Sequence, residues 1–286
     1  MNNLIISTEA TSDLPQEILD KYNIKVNSVN YFVDGKPYNS KTNHMSEQDF
    51  YGSMRNGSDT KTTQVNQTEA FEHLKALMDT GKDVLHIGFS SGLSGTFNNF
   101  KLAAEELNKT HQNKCYVVDS LCASAGQGLL VMLVCKKAQK ENLSAPQLAQ
   151  YAEEVKLRIN HRFTVDDLKY LAKGGRISKA SAKIANILRI KPILKMDNEG
   201  KLVVTNKVFG RKLAINKLFD KMKTNYDPYF SDILICEADC KSDADYLAQL
   251  IKNNFGIAPI IVPLDYFIGS HSGPGTISVF YVGDNR

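Results

Sequence analysis

Short apolar runs alternate along this chain with stretches whose apolar residues recur every three or four positions. Leu4 to Ser7, Val84 to Ile87 and Cys115 to Val118 are brief apolar runs of the kind that buried parallel strands show. Phe71, Leu74, Leu77 and Met78 keep helical spacing up to Gly81, and Asn66 with Glu69 forms a capping box ahead of them. A helix is predicted from about Thr96 to Leu107, and an apolar one from Gly126 to Lys140. Leu148, Ala152, Val155 and Ile159 mark a further helix reaching His161. Near the start, Asp13 reads as the N-cap of a helix with Pro15 in its first turn. Ile24 to Phe32 alternates as a strand and ends at Asp34-Gly35, a hairpin signal. Residues 37–60 are polar and irregular, with a short helix from Ser46. Strands that alternate with helices imply βαβ units and a parallel sheet.

The pattern changes after His161. Phe163 to Val165 reads as a short strand, and Asp166 to Lys173 as a helix ending at Gly174-Gly175. Ile190 to Met196 and Leu202 to Lys207 flank the turn Asn198-Glu-Gly200 and form a hairpin. A helix over Arg211 to Thr224, a strand at Ile233 to Cys236, a helix over Ser242 to Asn254 and a strand at Ala258 to Val262 follow. His271-Ser-Gly-Pro-Gly275 reads as a tight loop before a last strand, Thr276 to Val282. The fold class is therefore α/β: an N-terminal parallel-sheet α/β domain over 1–160 and a C-terminal mixed α+β domain over 161–286.

Composition adds exclusions. With 35 basic and 31 acidic residues the net charge is +4, too mild to argue for nucleic acid. No apolar run approaches a membrane span, and no basic, apolar leader precedes Leu4. The five cysteines contain no C-x-x-C pair and no His/Cys cluster for zinc, which reads as reduced cytoplasmic thiols and no metal.

Candidate chemistry centres on Val84 to Thr96, read as strand, Gly/Ser loop and helix start. Open α/β sheets bind ligands beyond the carboxyl ends of their strands, and helix starts favour anions. Ser90, Ser91, Ser94 and Thr96 add hydroxyl donors there, and Thr62 and Thr63 in Lys61-Thr-Thr-Gln64 could add others. Gly88-Phe89-Ser90-Ser91-Gly92 also fits G-x-S-x-G, which opens a serine-hydrolase alternative with His271 as base and Asp245 or Asp265 behind it. Against that alternative, loop residues separate Ser90 from the helix, whereas a nucleophile elbow runs straight into one. Gly273 and Gly275 around Pro274 would hold the His271 imidazole in place. Lys169, Lys173, Arg176, Lys179 and Lys183, with Arg189, Lys191, Arg211 and Lys212 downstream, make a basic group suited to a phosphate or an acidic partner, or simply a solvated helix face.

Taken together, several segments resemble the DegV family, in order over nearly the whole chain. They are Thr8-Glu-Ala-Thr-Ser-Asp-Leu-Pro15, Thr62-Thr-Gln64, Ser90-Ser-Gly-Leu-Ser-Gly-Thr96, Val118-Asp-Ser120, Gly126-Gln-Gly128, Leu171-Ala-Lys-Gly-Gly-Arg-Ile-Ser178, Lys191-Pro-Ile193 and His271-Ser-Gly-Pro-Gly275. The resemblance implies a two-domain, non-catalytic carrier that binds a long-chain fatty acid between its domains. It implies that the acid is presented to a separate fatty acid kinase for acyl-phosphate formation and phospholipid synthesis. By the same resemblance Thr62, Ser94, Gly95 and His271 hold the carboxylate, with Ser90, Ser91, Thr96 and Thr63 in support. Arg176 and Arg211 then face the kinase or a phosphate, and contact with a membrane surface is transient. The chain departs from the family's usual pattern at Glu9 and Ala10, at Val65 where Pro is usual, and at Phe209 where Arg is common.

Elementary energetics fits this expectation. A carboxylate taken out of water needs hydrogen bonds, and hydroxyls, an N–H and an imidazole can supply them. Each buried acyl methylene contributes about 0.8 kcal/mol. The apolar segments 126–135 and 184–188 are the expected tunnel walls.

Overall fold

The structure is a computed structural model that describes residues 3–178 and 190–286. Lys179, Lys183, Arg189 and the segment 184–188 lie outside the described residues. The first strand, β1 (Leu4–Glu9), leads into a 3₁₀ turn and helix α1 (Gln16–Tyr22). β2 (Lys25–Asn27), β3 (Asn30–Val33), β4 (Lys36–Asn39), α2 (Glu47–Arg55), β5 (Thr60–Thr63) and α3 (Gln67–Met78) follow. Next come β6 (Asp83–Gly88), α4 (Thr96–Thr110), β7 (Cys115–Asp119), α5 (Ala125–Lys140) and α6 (Ala145–Val155). The remainder holds β8 (Ile159–Thr164), α7 (Lys169–Lys173), β9 (Ile190–Met196), β10 (Leu202–Phe209), α8 (Arg211–Lys223) and β11 (Leu234–Glu237). It closes with α9 (Lys241–Phe255), β12 (Ile260–Pro263), α10 (Tyr266–Ser272) and β13 (Ile277–Val282).

Three sheets result. A parallel sheet has the order β2-β1-β6-β7, a mixed six-stranded sheet runs β10-β9-β8-β13-β11-β12, and β4-β3-β5 form a small antiparallel sheet. In the parallel sheet, β1 lies between β2 and β6, so the strand order reverses between β1 and β6. That is where open α/β sheets place their crevice.

Helix α5 organises the centre. Ala125 to Cys135 are all buried, because one side packs on β1 and β6 and the other on β8, β11 and β13. A helix covered all round has no polar face, which is why its sequence is apolar without a stripe. One core cluster accordingly joins Ile6, Leu85 and Ile87 of the parallel sheet to Leu234, Phe280 and Val282 of the mixed one.

The capping box at Asn66 and Glu69 is present, Ser46 caps α2, and Asp34 and Gly35 both take positive φ in the β3–β4 turn, as a two-residue hairpin requires. Five expectations fail. The segment 24–32 is two strands in two sheets, broken at Ser28 and Val29. Asp13 is not the N-cap of α1; Pro15 holds that position, and the Asp13 carboxylate turns inward to accept from Ser124 Oγ and from the Asp265 N–H at 3.0 Å. Ile159 and His161 belong to β8, where pairing with β13 overrides their helical spacing. The predicted helix over 166–173 begins only at Lys169, whose N–H the Asp167 carboxylate accepts at 2.8 Å. His271 lies in the last turn of α10 rather than in a loop, because Asp265 caps that helix by accepting from the Phe267 and Ile268 N–H groups.

Candidate functional site

The loop after β6 is fixed by its own backbone bonds. Glu9, fully buried at the end of β1, accepts from the Phe89 N–H at 3.1 Å and from Gln127 Nε2 at 2.6 Å. Ser90 N–H donates to Cys122 O, Ser91 N–H to Asp119 Oδ1, Gly92 N–H to Ser90 Oγ, and the Leu93 and Ser94 N–H groups to Ser90 O. Thr96 N–H donates to Ser94 Oγ at 3.3 Å, and Ser94 Oγ donates to Thr96 Oγ1 at 3.1 Å. The Gly95 N–H is the one backbone donor from Phe89 to Thr96 with no acceptor among the described residues. The reversal point between β1 and β6 thus carries its own carboxylate, and the loop's unused donor lies at its far end.

Ser90 is not placed as a nucleophile. It is fully buried, and its Oγ donates to Gly200 O at 2.8 Å. Gly200 takes a positive φ of 72° in the β9–β10 turn, so that turn closes over the loop; a Cβ on Gly92 would meet the Glu199 and Gly200 backbone. His271 pairs elsewhere, Asp245 pairs with Lys241 on the surface, and Asp265 caps α10. The serine-hydrolase alternative therefore lacks its Ser–His–Asp assembly.

Distant segments converge on His271 instead. Its Nε2 lies 2.7 Å from Thr62 Oγ1. The segment after Thr62 runs along the β6 loop: Val65 N–H donates to Thr96 Oγ1 at 3.2 Å, and the Gln64 side chain lies against Gly95. The Gly174-Gly175-Arg176 turn covers the other side. A Cβ on Gly174 would overlap His271 Nδ1, one on Gly273 would overlap the Tyr170 ring, and one on Gly275 the Asp166 carboxylate. At these three positions the missing Cβ leaves room for a side chain to pack directly on the backbone. Thr63, Gln64, Ser91 and Gly95 are exposed.

Arg176 reaches into the same place. Its Nε donates to Leu93 O at 3.2 Å and its Nη1 to Gly174 O. Its partners are carbonyls, and burial alone pushes its pKa down. Arg211 lies apart, with its Nε on the Asp243 carboxylate at 2.7 Å and its Nη1 3.5 Å from Asp166.

Between these groups lies an apolar cavity, partly open to solvent, whose non-atom space counted together with that open solvent is about 630 Å³. Phe89 and Leu93 come from the β6 loop, Phe163, Met196 and Phe280 from the six-stranded sheet, and Phe267 from α10. His271 and Arg176 are its charged or chargeable wall residues near the Thr62 contact, and His161 lies on the wall as well. His161 is buried and neutral: Ala123 N–H donates to its Nε2, and its Nδ1–H donates to Ile159 O. The expected wall at 126–135 is not used, because α5 spends its faces on the two sheets; Ala123 and Ser124 just before it line the cavity. Among the described residues no group of three or more His, Cys, Asp or Glu gathers for a metal, and no helix is long and apolar enough to cross a membrane.

Burial, with Arg176 nearby, pushes the His271 pKa down to about 3. Unfolded histidine takes its proton near pH ~6.5, so this residue's stabilisation is complete above that pH and is lost as pH falls towards about 3. Full linkage is about 1.4 kcal/mol per pH unit. Between pH 7 and pH 5 (test conditions, roughly 2 kcal/mol by this linkage), urea unfolding should show the parent protein losing more stability than His271→Gln. Equal losses would mean the imidazole is not held neutral.

Comparison with known proteins identifies the family and the fold. A family model described as "Uncharacterised protein, DegV family" matches residues 3–284. The chain belongs to the DegV family. A DegV domain-containing protein of Clostridium perfringens is 34% identical over 292 aligned positions, covering 100% of this chain and 99% of that one. One from Lactococcus lactis is 32% identical, with 97% and 96% covered. Among solved structures, a fatty acid binding DegV family protein from Streptococcus agalactiae superposes with a TM-score of 0.85 at 27% identity, covering 99% of both chains. A DegV lipid binding protein from Thermotoga maritima superposes with a TM-score of 0.85 at 25% identity, again covering 99% of both chains. The mixed α/β fold with separate parallel and mixed sheets is that of these DegV neighbours.

Thr62 and His271, far apart in sequence, are brought together as a pair, and the 94–96 loop lies beside the Thr62 segment. Arg176, expected to face a kinase or a phosphate, lies on the cavity wall, a placement that a Lys-Gly-Gly-Arg string, reading as surface charge, does not reveal. Its double glycine, which lets the turn press on His271, was the available signal.

Proposed function

We propose that this protein binds a long-chain fatty acid, with the acyl chain in the apolar cavity and the carboxylate beside Thr62, Ser94, Gly95 and His271. The observation that carries this reading is Arg176, a half-buried guanidinium on the cavity wall bonded to carbonyls and facing no acidic partner among the described residues. A buried cation without a counter-ion is costly, and a carboxylate at the mouth of an apolar cavity supplies one. The unused Gly95 N–H and the Thr62–His271 pair add neutral donors. Proteins described as fatty acid binding, with the same fold at 25% and 27% identity, support the ligand class.

In this reading the protein is a carrier, not a catalyst. The domains 1–160 and 161–286 meet around the cavity, and the acid's head group is offered to a separate fatty acid kinase in the cytoplasm. Arg211, already engaged by Asp243 and Asp166, would organise that outer surface rather than meet the phosphate itself. The test is to denature purified protein, identify released lipids by mass spectrometry, and offer palmitate to the delipidated protein. Absence of any acyl ligand together with no palmitate uptake sinks the reading.

A further inference from the structure

Four hydroxyl side chains line the cavity: Ser124, Ser272, Thr276 and Ser278. Three of them are satisfied within the protein. Ser124 Oγ donates to the Asp13 carboxylate, Thr276 Oγ1 to Gly273 O at 2.7 Å, and Ser278 Oγ to Cys236 O at 3.4 Å. Ser272 is different: it is 4% exposed, and its Oγ is buried with no hydrogen-bond partner among the described residues. Buried hydroxyls are almost always paired, and one left unpaired destabilises the fold. At this position an alanine would fill nearly the same space without that penalty.

Position supplies the reason to keep the hydroxyl. Ser272 directly follows His271 in the last turn of α10, and both side chains line the cavity that Arg176 also lines. The backbone next to it is held by Gly273, whose N–H donates to Gly269 O at 2.8 Å, so the turn is a fixed platform. We propose that Ser272 is a ligand-binding residue whose hydroxyl donates to an oxygen of the bound acid's carboxylate, from the cavity side of His271. The proposal rests on the fatty-acid reading above and adds a donor that the sequence motifs did not single out. In the delipidated protein the Ser272 hydroxyl then stays unmet until the ligand arrives.

Ser272→Ala separates this role from a structural one, because the two move stability in opposite directions. Delipidated parent and variant are compared by thermal unfolding and by titration with palmitate. The expected result is a variant that melts higher when empty, by about 2 °C, yet binds palmitate about tenfold more weakly. Unchanged palmitate affinity overturns the proposal and leaves the fatty-acid reading standing. A variant that melts lower when empty overturns it too, since the hydroxyl would then be serving the fold. Palmitate binding by neither protein defeats the fatty-acid reading and this proposal with it.

Discussion

Gly126→Ala is expected to destabilise the protein by at least ~3 kcal/mol, read as a lower urea midpoint with little change in the slope of the transition. In an open helix the same change would be favourable by roughly 0.5–1 kcal/mol, because alanine is the better helix former. Here a Cβ would overlap the His161 ring. That ring has no simple retreat, since both of its nitrogens are bonded, to Ala123 N–H and Ile159 O, and Phe280 packs edge-on against it. Gly128, two positions on, faces the opposite way, and its Cβ would strike Ser12 O. Between them, Gln127 passes its amide to Thr8, Glu9 and Ile87 O. The Gly-Gln-Gly string is thus a two-sided close approach with a polar peg in the middle. A Gly126→Ala variant as stable as the parent would show that the six-stranded sheet does not press on α5 as described.

His271→Ala should weaken palmitate binding about 100-fold, and Thr62→Val about tenfold, in titrations of delipidated protein. Hydrogen bonds to a charged group contribute about 1.5–3 kcal/mol each, and leaving a buried carboxylate short of donors costs more than the bond itself. His271 carries the larger effect because it also props Thr62, 2.7 Å away, and fills the space beside Gly174. For the same reason the double variant should lose less than the product of the single losses, as groups in direct contact are not additive. Full multiplicative loss would mean the two residues act on the ligand separately. Retained affinity in His271→Ala would move the head group away from this pair altogether.

Much of the fold is legible because local rules and tertiary packing agree. The runs at β1, β6 and β7 are apolar enough to demand burial, Asn66 and Glu69 mark a helix start, and Asp34-Gly35 marks a turn. The failures fall where tertiary partners outbid local pattern. Leu148, Ala152 and Val155 face one side of α6, and Ile159 continues their spacing, yet its backbone is claimed by β13. Asp13 has the chemistry of a cap, but its carboxylate is used by Ser124 and Asp265 in the interior. The site divides the same way. Thr62, His271 and Arg176 stand out by motif, whereas the position of Arg176 on the cavity wall, and Ser272 altogether, come into view only once a cavity exists for them to line.

The placement of α5 bears on how the two halves could ever be separated. A chain cut near residue 160 would leave the N-terminal piece with its own sheet and helices intact, but with the side of α5 that meets β8, β11 and β13 bare to water. Such an exposed apolar strip recruits other molecules, so that fragment would gather into aggregates instead of persisting as a monomer. The C-terminal piece would carry the matching scar on the inner face of its six strands. The boundary expected near residue 160 is therefore not a line along which the chain can be divided.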